Sequence, residues 1–246
     1  MRSVLLKILI IIAIIIFSFS GWKLYSIFHE YGEADKEYDS ISEEYVKEKT
    51  TQDIEDPNDR WDVDFESLAG INEDIVAWIE FPACSINYPV VQAEDNEYYL
   101  THTFEKKDNK SGGIFLDMEN KNDFSDHNSI IYGHNMKNGS MFGRLKKLYQ
   151  ETNLRSSNPY FYIILKDNTV LKYEIFSYYI DNYNSSAYSI PQTEEELETY
   201  IEYCKSHTIE TISIPVDKDD KIVTLATCSG AAGSDKRFLV HGVLVD

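Results

Sequence analysis

Apolar residues run almost unbroken over positions 4–19, interrupted only by Lys7 and Ser18. With Gly21, Trp22, Leu24 and Tyr25 the stretch reaches about 20 residues, enough to cross a hydrocarbon core of about 30 Å. The pattern then changes. Positions 26–60 are rich in Glu, Asp, Lys, Tyr and Ser, with few aliphatics and a break at Pro57-Asn58-Asp59. Such a run predicts an acidic polar stalk, either a solvated helix or a flexible tether. From position 61 onward, short apolar runs alternate with turn residues. The runs 75–81, 86–92, 113–117, 129–132, 160–165, 170–180, 221–227 and 237–245 predict strands, with Asp167-Asn168 turning one hairpin. A short helix is expected from Asp64, an N-cap, and another over 139–149 with Met141, Leu145 and Leu148 on one face. The clearest helical signal covers 193–207. There Thr193 caps, Glu196 completes a capping box, and Leu197, Tyr200, Ile201 and Cys204 form the apolar stripe.

Length and charge refine this picture. The 246 residues suffice for one sizeable domain plus appendages. Net charge is −19; Arg2, Lys7 and Lys23 are the basic residues before Tyr25, and all 42 acidic residues follow it. An acidic surface of this kind repels phosphates and argues against nucleic-acid binding. The basic start and acidic remainder predict a single membrane-spanning anchor over 1–25, N-terminus cytoplasmic and bulk of the chain extracellular, with Trp22 and Tyr25 at the outer interface. A cleaved signal peptide, cut before Gly21 after Ser18 and Ser20, is the alternative; either exports the domain. Three cysteines occur, so at least one thiol stays free or pairs between chains. Cys84 and Cys204 are expected as small core residues, with a bridge between them left open. No HExxH, CxxC, EF-hand or glycine-rich phosphate loop is present, so neither metal nor cofactor is expected.

The chemistry gathers at strand ends. Cys228 closes the run 221–227, Arg237 opens the last run, and His134 follows 129–132 in a glycine-containing turn. If the last two runs pair as neighbours, thiol and guanidinium share one rim of a sheet. Thiol, imidazole and guanidinium together point to acyl transfer through a thioester. Taken singly, Cys228 reads as a buried core residue and Arg237 as a surface charge. Among the other histidines, His29 lies in the stalk, His207 ends a helix, and His102 and His127 sit in polar loops. His241 alternates with apolar residues in the last strand, as a core or surface histidine.

Thr224-Leu225-Ala226-Thr227-Cys228 with Arg237, and Tyr132-Gly133-His134-Asn135, resemble the sortases, cysteine transpeptidases of Gram-positive cell surfaces. The run 86–92, Asp95-Asn96, Tyr98-Tyr99-Leu100, Met136 and Met141-Phe142 resemble class B in particular, and the resemblance covers about 65–245. It implies a mainly β fold: a closed eight-stranded barrel with an N-terminal helix or helices and a helix before the penultimate strand, which 193–207 would supply. The catalytic domain would then span 61–246. By the same resemblance Cys228 is the nucleophile, His134 the general acid and base, and Arg237 the group that holds substrate carbonyls or the oxyanion. Thr227 would assist beside the thiol through its hydroxyl or its backbone amide, while Asn96, Leu100 and Tyr132 would border the substrate groove. The implied reaction cleaves a C-terminal sorting signal (NPQTN-like or another Pro-x-Thr motif) after threonine and transfers the surface protein to a peptidoglycan amine. Ala226 departs from the serine common in class B, and 229–234 is small and flexible, which leaves the motif preference open. Two rivals stay open as well: a thiol hydrolase that passes the acyl group to water, and a catalytically silent wall-binding module.

Overall fold

The computed structural model describes residues 2–49, 60–230 and 233–245. A single long helix, α1 (Arg2–Tyr45), opens the chain. Its first half exposes Val4, Ile12, Phe19, Trp22 and their apolar neighbours, and it is long and apolar enough to cross a membrane. The second half departs from the solvated stalk expected over 26–60. Ala34, Tyr38 and Ile41 are buried in the main core; their spacing of four and three residues puts them on one helix face. Fully burying a side chain such as Ile41 contributes about 1.5–3 kcal/mol, which favours a docked helix over a free tether. The expected break at Pro57-Asn58-Asp59 lies outside the described residues.

A short antiparallel pair follows, β1 (Val46–Glu48) with β2 (Trp61–Val63). Next comes α2 (Phe65–Ile71), capped as expected by Asp64, which accepts the Ser67 N–H at 3.0 Å. The barrel strands are β3 (Ile75–Phe81), β4 (Ile86–Val91), β5 (Ile114–Leu116) and β6 (Asn128–Tyr132). After the short helices α3 (Lys147–Gln150) and α4 (Leu154–Ser157) come β7 (Tyr160–Leu165) and β8 (Val170–Asn182). Then α5 (Glu194–His207) leads to β9 (Ile222–Cys228) and β10 (Lys236–Leu244). Eight strands close in the order β10-β8-β7-β3-β4-β5-β6-β9. Two neighbouring pairs, β4–β5 and β6–β9, are parallel.

Side-chain alternation splits the β9–β10 wall between two cores. Val223, Leu225, Phe238 and Val240 face the barrel interior. Ile222, Ala226, Leu239 and Val243 face outward and are covered by Leu197, Tyr200, Ile201 and Cys204 of α5. The Thr193 cap of α5 accepts the Glu196 N–H at 3.2 Å. Cys84 and Cys204 are both buried and free, so the bridge between them is not formed; burial pushes each thiol up to about 12.

The helix expected over 139–149 is replaced by consecutive tight turns and α3. Gly139 and Met141 take φ of +88° and +54°, which no right-handed helix accommodates. N–H groups of Gly139, Gly143, Leu145 and Lys147 each bond three residues back, to Met136, Ser140, Phe142 and Arg144. One position tests the packing of the barrel interior. Gly242 sits at a register shift in the β10–β8 pairing, and a Cβ there would lie 2.4 Å from Cε1 of the buried Phe161. Gly242→Ala is therefore expected to cost about 1–3 kcal/mol, read as a lower urea midpoint.

Candidate active site

Strand register and the turn after β6 set the three candidate side chains. In the antiparallel β9–β10 pair, Arg237 lies directly opposite Cys228, which puts their Cβ atoms about 5 Å apart on one face of the sheet. In the parallel β6–β9 pair, Tyr132 is level with Ala226. His134 follows two residues further on, just past the end of β6. Two bonds tie this stretch to β9. Gly133 N–H donates to the Ala226 carbonyl at 3.2 Å, and Asn135 Nδ2 donates to the Cys228 carbonyl at 2.8 Å. Cys228 thus stands opposite the Arg237 guanidinium and shares a cleft with the His134 imidazole. It is also exposed, where the strand emerges from under α5.

All three line one cleft of about 500 Å³ on the outer face of the barrel. His134 Nε2 lies 2.7 Å from the Leu100 carbonyl. A carbonyl only accepts, so Nε2 carries the hydrogen there, and Nδ1 is the nitrogen left for proton exchange. Arg237 Nη1 donates to the carbonyls of Ser234 at 2.9 Å and Lys236 at 3.0 Å, and its guanidinium packs 5.8 Å from the Tyr183 ring centre. These contacts hold the fork at the rim.

Of the expected groove residues, Asn96, Leu100 and Tyr132 all border the cleft. The carboxylate of Asp117, a residue with no expected role, joins two of them. Its Oδ2 accepts from Tyr132 OH at 2.7 Å and from Asn96 Nδ2 at 3.0 Å, while Asn96 Oδ1 accepts the Met118 N–H at 2.9 Å. Burial, then the Asp117 charge, pushes the Tyr132 phenol up, so it stays a neutral donor. Tyr188, from a 3-10 turn over Ser186–Tyr188, stacks on Tyr132 with centroids 6.2 Å apart. Burial raises its phenol too, with Arg237 opposing. Neither Asp117 nor Tyr188 carries a sequence signal: one follows a short strand and the other lies in an irregular connection.

Thr227 also borders the cleft, but its side chain alternates to the face opposite Cys228. Its partner on β10 is Phe238, a residue of the interior core, and Thr227 Oγ1 is buried without a hydrogen-bond partner. Assistance to the thiol through that hydroxyl is therefore not supported by the geometry; the backbone is what Thr227 presents. Thr227→Val is expected to leave turnover within about twofold and to raise stability by about 1 kcal/mol, since an unsatisfied buried hydroxyl is removed. Peptide-cleavage kinetics and urea unfolding read the two effects. Among the described residues no group of three His, Cys, Asp or Glu side chains is placed to hold a metal ion.

A sortase-domain model matches residues 79–245 of this chain. Sortase B of Listeria monocytogenes is 32% identical over 249 residues, spanning 99% of this chain and 98% of that protein. The crystal structure of sortase B from B. anthracis in complex with AAEK1 superposes with a TM-score of 0.76 at 31% identity, covering 89% of this chain and 100% of that one. A Staphylococcus aureus sortase B–substrate complex gives 0.68 at 28% identity, over 74% and 84% of the two chains.

Proposed function

This chain belongs to the sortase family, in its class B, and from that premise we propose that Cys228, His134 and Arg237 carry out a cell-wall sorting transpeptidation at the outer membrane face. The observation that carries the reading is the register of β6, β9 and β10, which supports a thiol flanked by a proton carrier and a fixed cation. Cys228 gives its thiol proton to His134, and the sulfur attacks the carbonyl carbon of the threonine in the sorting signal, forming a C–S bond. The oxyanion that develops lies against the Arg237 guanidinium. Collapse breaks the C–N bond, and His134 delivers a proton to the departing amine. An incoming peptidoglycan amine then attacks the thioester, gives its proton to His134, and expels the thiolate.

Cleft chemistry supports a Pro-x-Thr peptide of the NPQTN type. Phe115, Tyr132, Tyr183 and Tyr188 supply aromatic surface, Leu100 and Met118 apolar surface, and the amide of Asn96 adds a polar contact. Rings of this kind pack well on proline, which loses little entropy on binding. The apolar half of α1 holds the domain at the membrane, basic end inside. A fluorogenic Asn-Pro-Gln-Thr-Asn peptide, assayed with and without a triglycine or stem-peptide amine, tests the proposal. The expected result is an amide product that replaces hydrolysis when amine is present. Hydrolysis alone under both conditions would favour a thiol hydrolase, and no cleavage of any Pro-x-Thr peptide would favour a silent wall-binding module.

A further inference from the structure

The docked half of α1 lies against both loops that meet at His134. In the loop before β5, the Tyr38 hydroxyl donates to the Gly112 carbonyl at 2.8 Å and accepts the Phe104 N–H at 3.1 Å. Asn109 Nδ2 donates to the Glu30 carbonyl at 2.9 Å, and the Glu37 carboxylate accepts the Glu105 N–H at 3.1 Å. In the loop after β6, Asn138 Nδ2 donates to Asp35 at 2.8 Å. Gly112 is the junction. Its φ is +59°, and a Cβ there would lie 3.0 Å from His134 Cδ2 and 2.5 Å from the Tyr99 carbonyl oxygen. The backbone at 112 therefore packs against the imidazole. The same loop supplies the Leu100 carbonyl that meets Nε2. One helix-borne hydroxyl thus bridges the peptide beside the ring to Phe104, within the loop that also supplies Leu100.

We propose that Tyr38 is a positioning residue for the transfer reaction, holding the His134 ring through Gly112 and Leu100, so that the anchor helix forms part of the active site's support. This rests on His134 being the proton carrier. Tyr38 brings no charge to the cleft and lines none of it; its effect passes through the orientation and tautomer of the ring. Tyr38→Phe isolates the hydroxyl, because the edge-on packing against Tyr88, with centroids 5.3 Å apart, is kept.

The test uses the full chain in phospholipid nanodiscs, the Asn-Pro-Gln-Thr-Asn peptide and a triglycine acceptor, at temperatures where every variant is folded. Tyr38→Phe is expected to lower kcat about 10- to 100-fold, with KM for the peptide within about twofold, the signature of a misplaced catalytic group. Ring nitrogen NMR of His134 is expected to move from the Nε2–H pattern toward a mixture of tautomers. Ile41→Ala, on the same buried helix face but without a polar group to lose, is expected to reduce thermal stability while keeping kcat within twofold and the ring signals in place. Unchanged kcat and ring signals in Tyr38→Phe would overturn the proposal, as would Ile41→Ala reproducing both changes. Separately, His134→Asn is expected to abolish transfer; transfer that survives it would overturn the assignment of His134 itself, whatever Tyr38→Phe does.

Discussion

Replacing Cys228 by alanine is expected to lower transfer of a sorting peptide by at least about 10⁴-fold, because the thioester that divides the reaction into two easier steps cannot form. No other thiol in the chain can substitute. Cys84 and Cys204 are fully buried, and burial pushes both up to about 12, which keeps them protonated and inert. The same change should scarcely touch the fold. Cys228 is exposed at the end of β9, so losing its sulfur leaves no cavity and the unfolding free energy should shift by under about 0.5 kcal/mol. Single-turnover peptide cleavage and equilibrium unfolding read these outcomes independently. Transfer within tenfold of the unaltered chain would remove Cys228 from the chemistry.

The second large effect is a stability profile with two limbs, set by two buried groups far from the cleft. His241 is fully buried under α5. Its Nδ1 lies 2.9 Å from Thr224 Oγ1 and 3.2 Å from Tyr200 OH, and Nε2 has no partner among the described residues. Burial drops its pKa to about 3. An unfolded histidine takes up a proton below about 6.5, whereas the folded one resists until about pH 3. The unfolded state therefore binds more protons in that window, and stability is lost as pH falls through it, by on the order of 4–5 kcal/mol in all. Glu80 on β3 acts in the opposite sense. Burial, reinforced by the Glu48 carboxylate and opposed by Arg60, pushes it up to about 8. Here the folded state keeps a proton that the unfolded state has released, so stability is lost as pH rises from about 4.5 to 8, by a similar order. Between about pH 4.5 and 6.5 the two slopes offset, giving a plateau with a falling limb on each side. Urea unfolding from pH 3 to 9 measures it. His241→Gln is expected to remove most of the acid limb and Glu80→Gln the alkaline limb; limbs that survive both substitutions would show that other groups set the profile.

The barrel and the convergence of Cys228, Arg237 and His134 were legible because all three stand at the ends of strongly apolar runs. Pairing such runs aligns their termini, and the period-2 alternation of a strand then decides which side chains share a face. The same alternation, followed one residue back, turns Thr227 inward beside Phe238. Motif adjacency to the thiol hid this. The docking of α1 was present in the spacing of Ala34, Tyr38 and Ile41 but was masked by the charged residues between them, whose side chains need only one face of the helix. Over 139–149 the apolar spacing suited a helix. Local backbone conformation overrode it, through left-handed φ at Gly139 and Met141. Asp117 and Tyr188 were illegible for a different reason. Each acquires its place only when β5 and the connection after β8 arrive beside Tyr132, a long-range event with no local pattern. His241 carried two open readings, and only the covering helix α5 decides between them.

The most direct test of the acyl-transfer mechanism is rapid-quench intact-protein mass spectrometry of the full chain mixed with an Asn-Pro-Gln-Thr-Asn peptide. The expected result is a single acyl adduct, mapped by tandem fragmentation to Cys228, whose decay on adding an amine matches the appearance of the amide product. An adduct on any other residue, or a Cys228 adduct lost to water at one rate with and without amine, would contradict it.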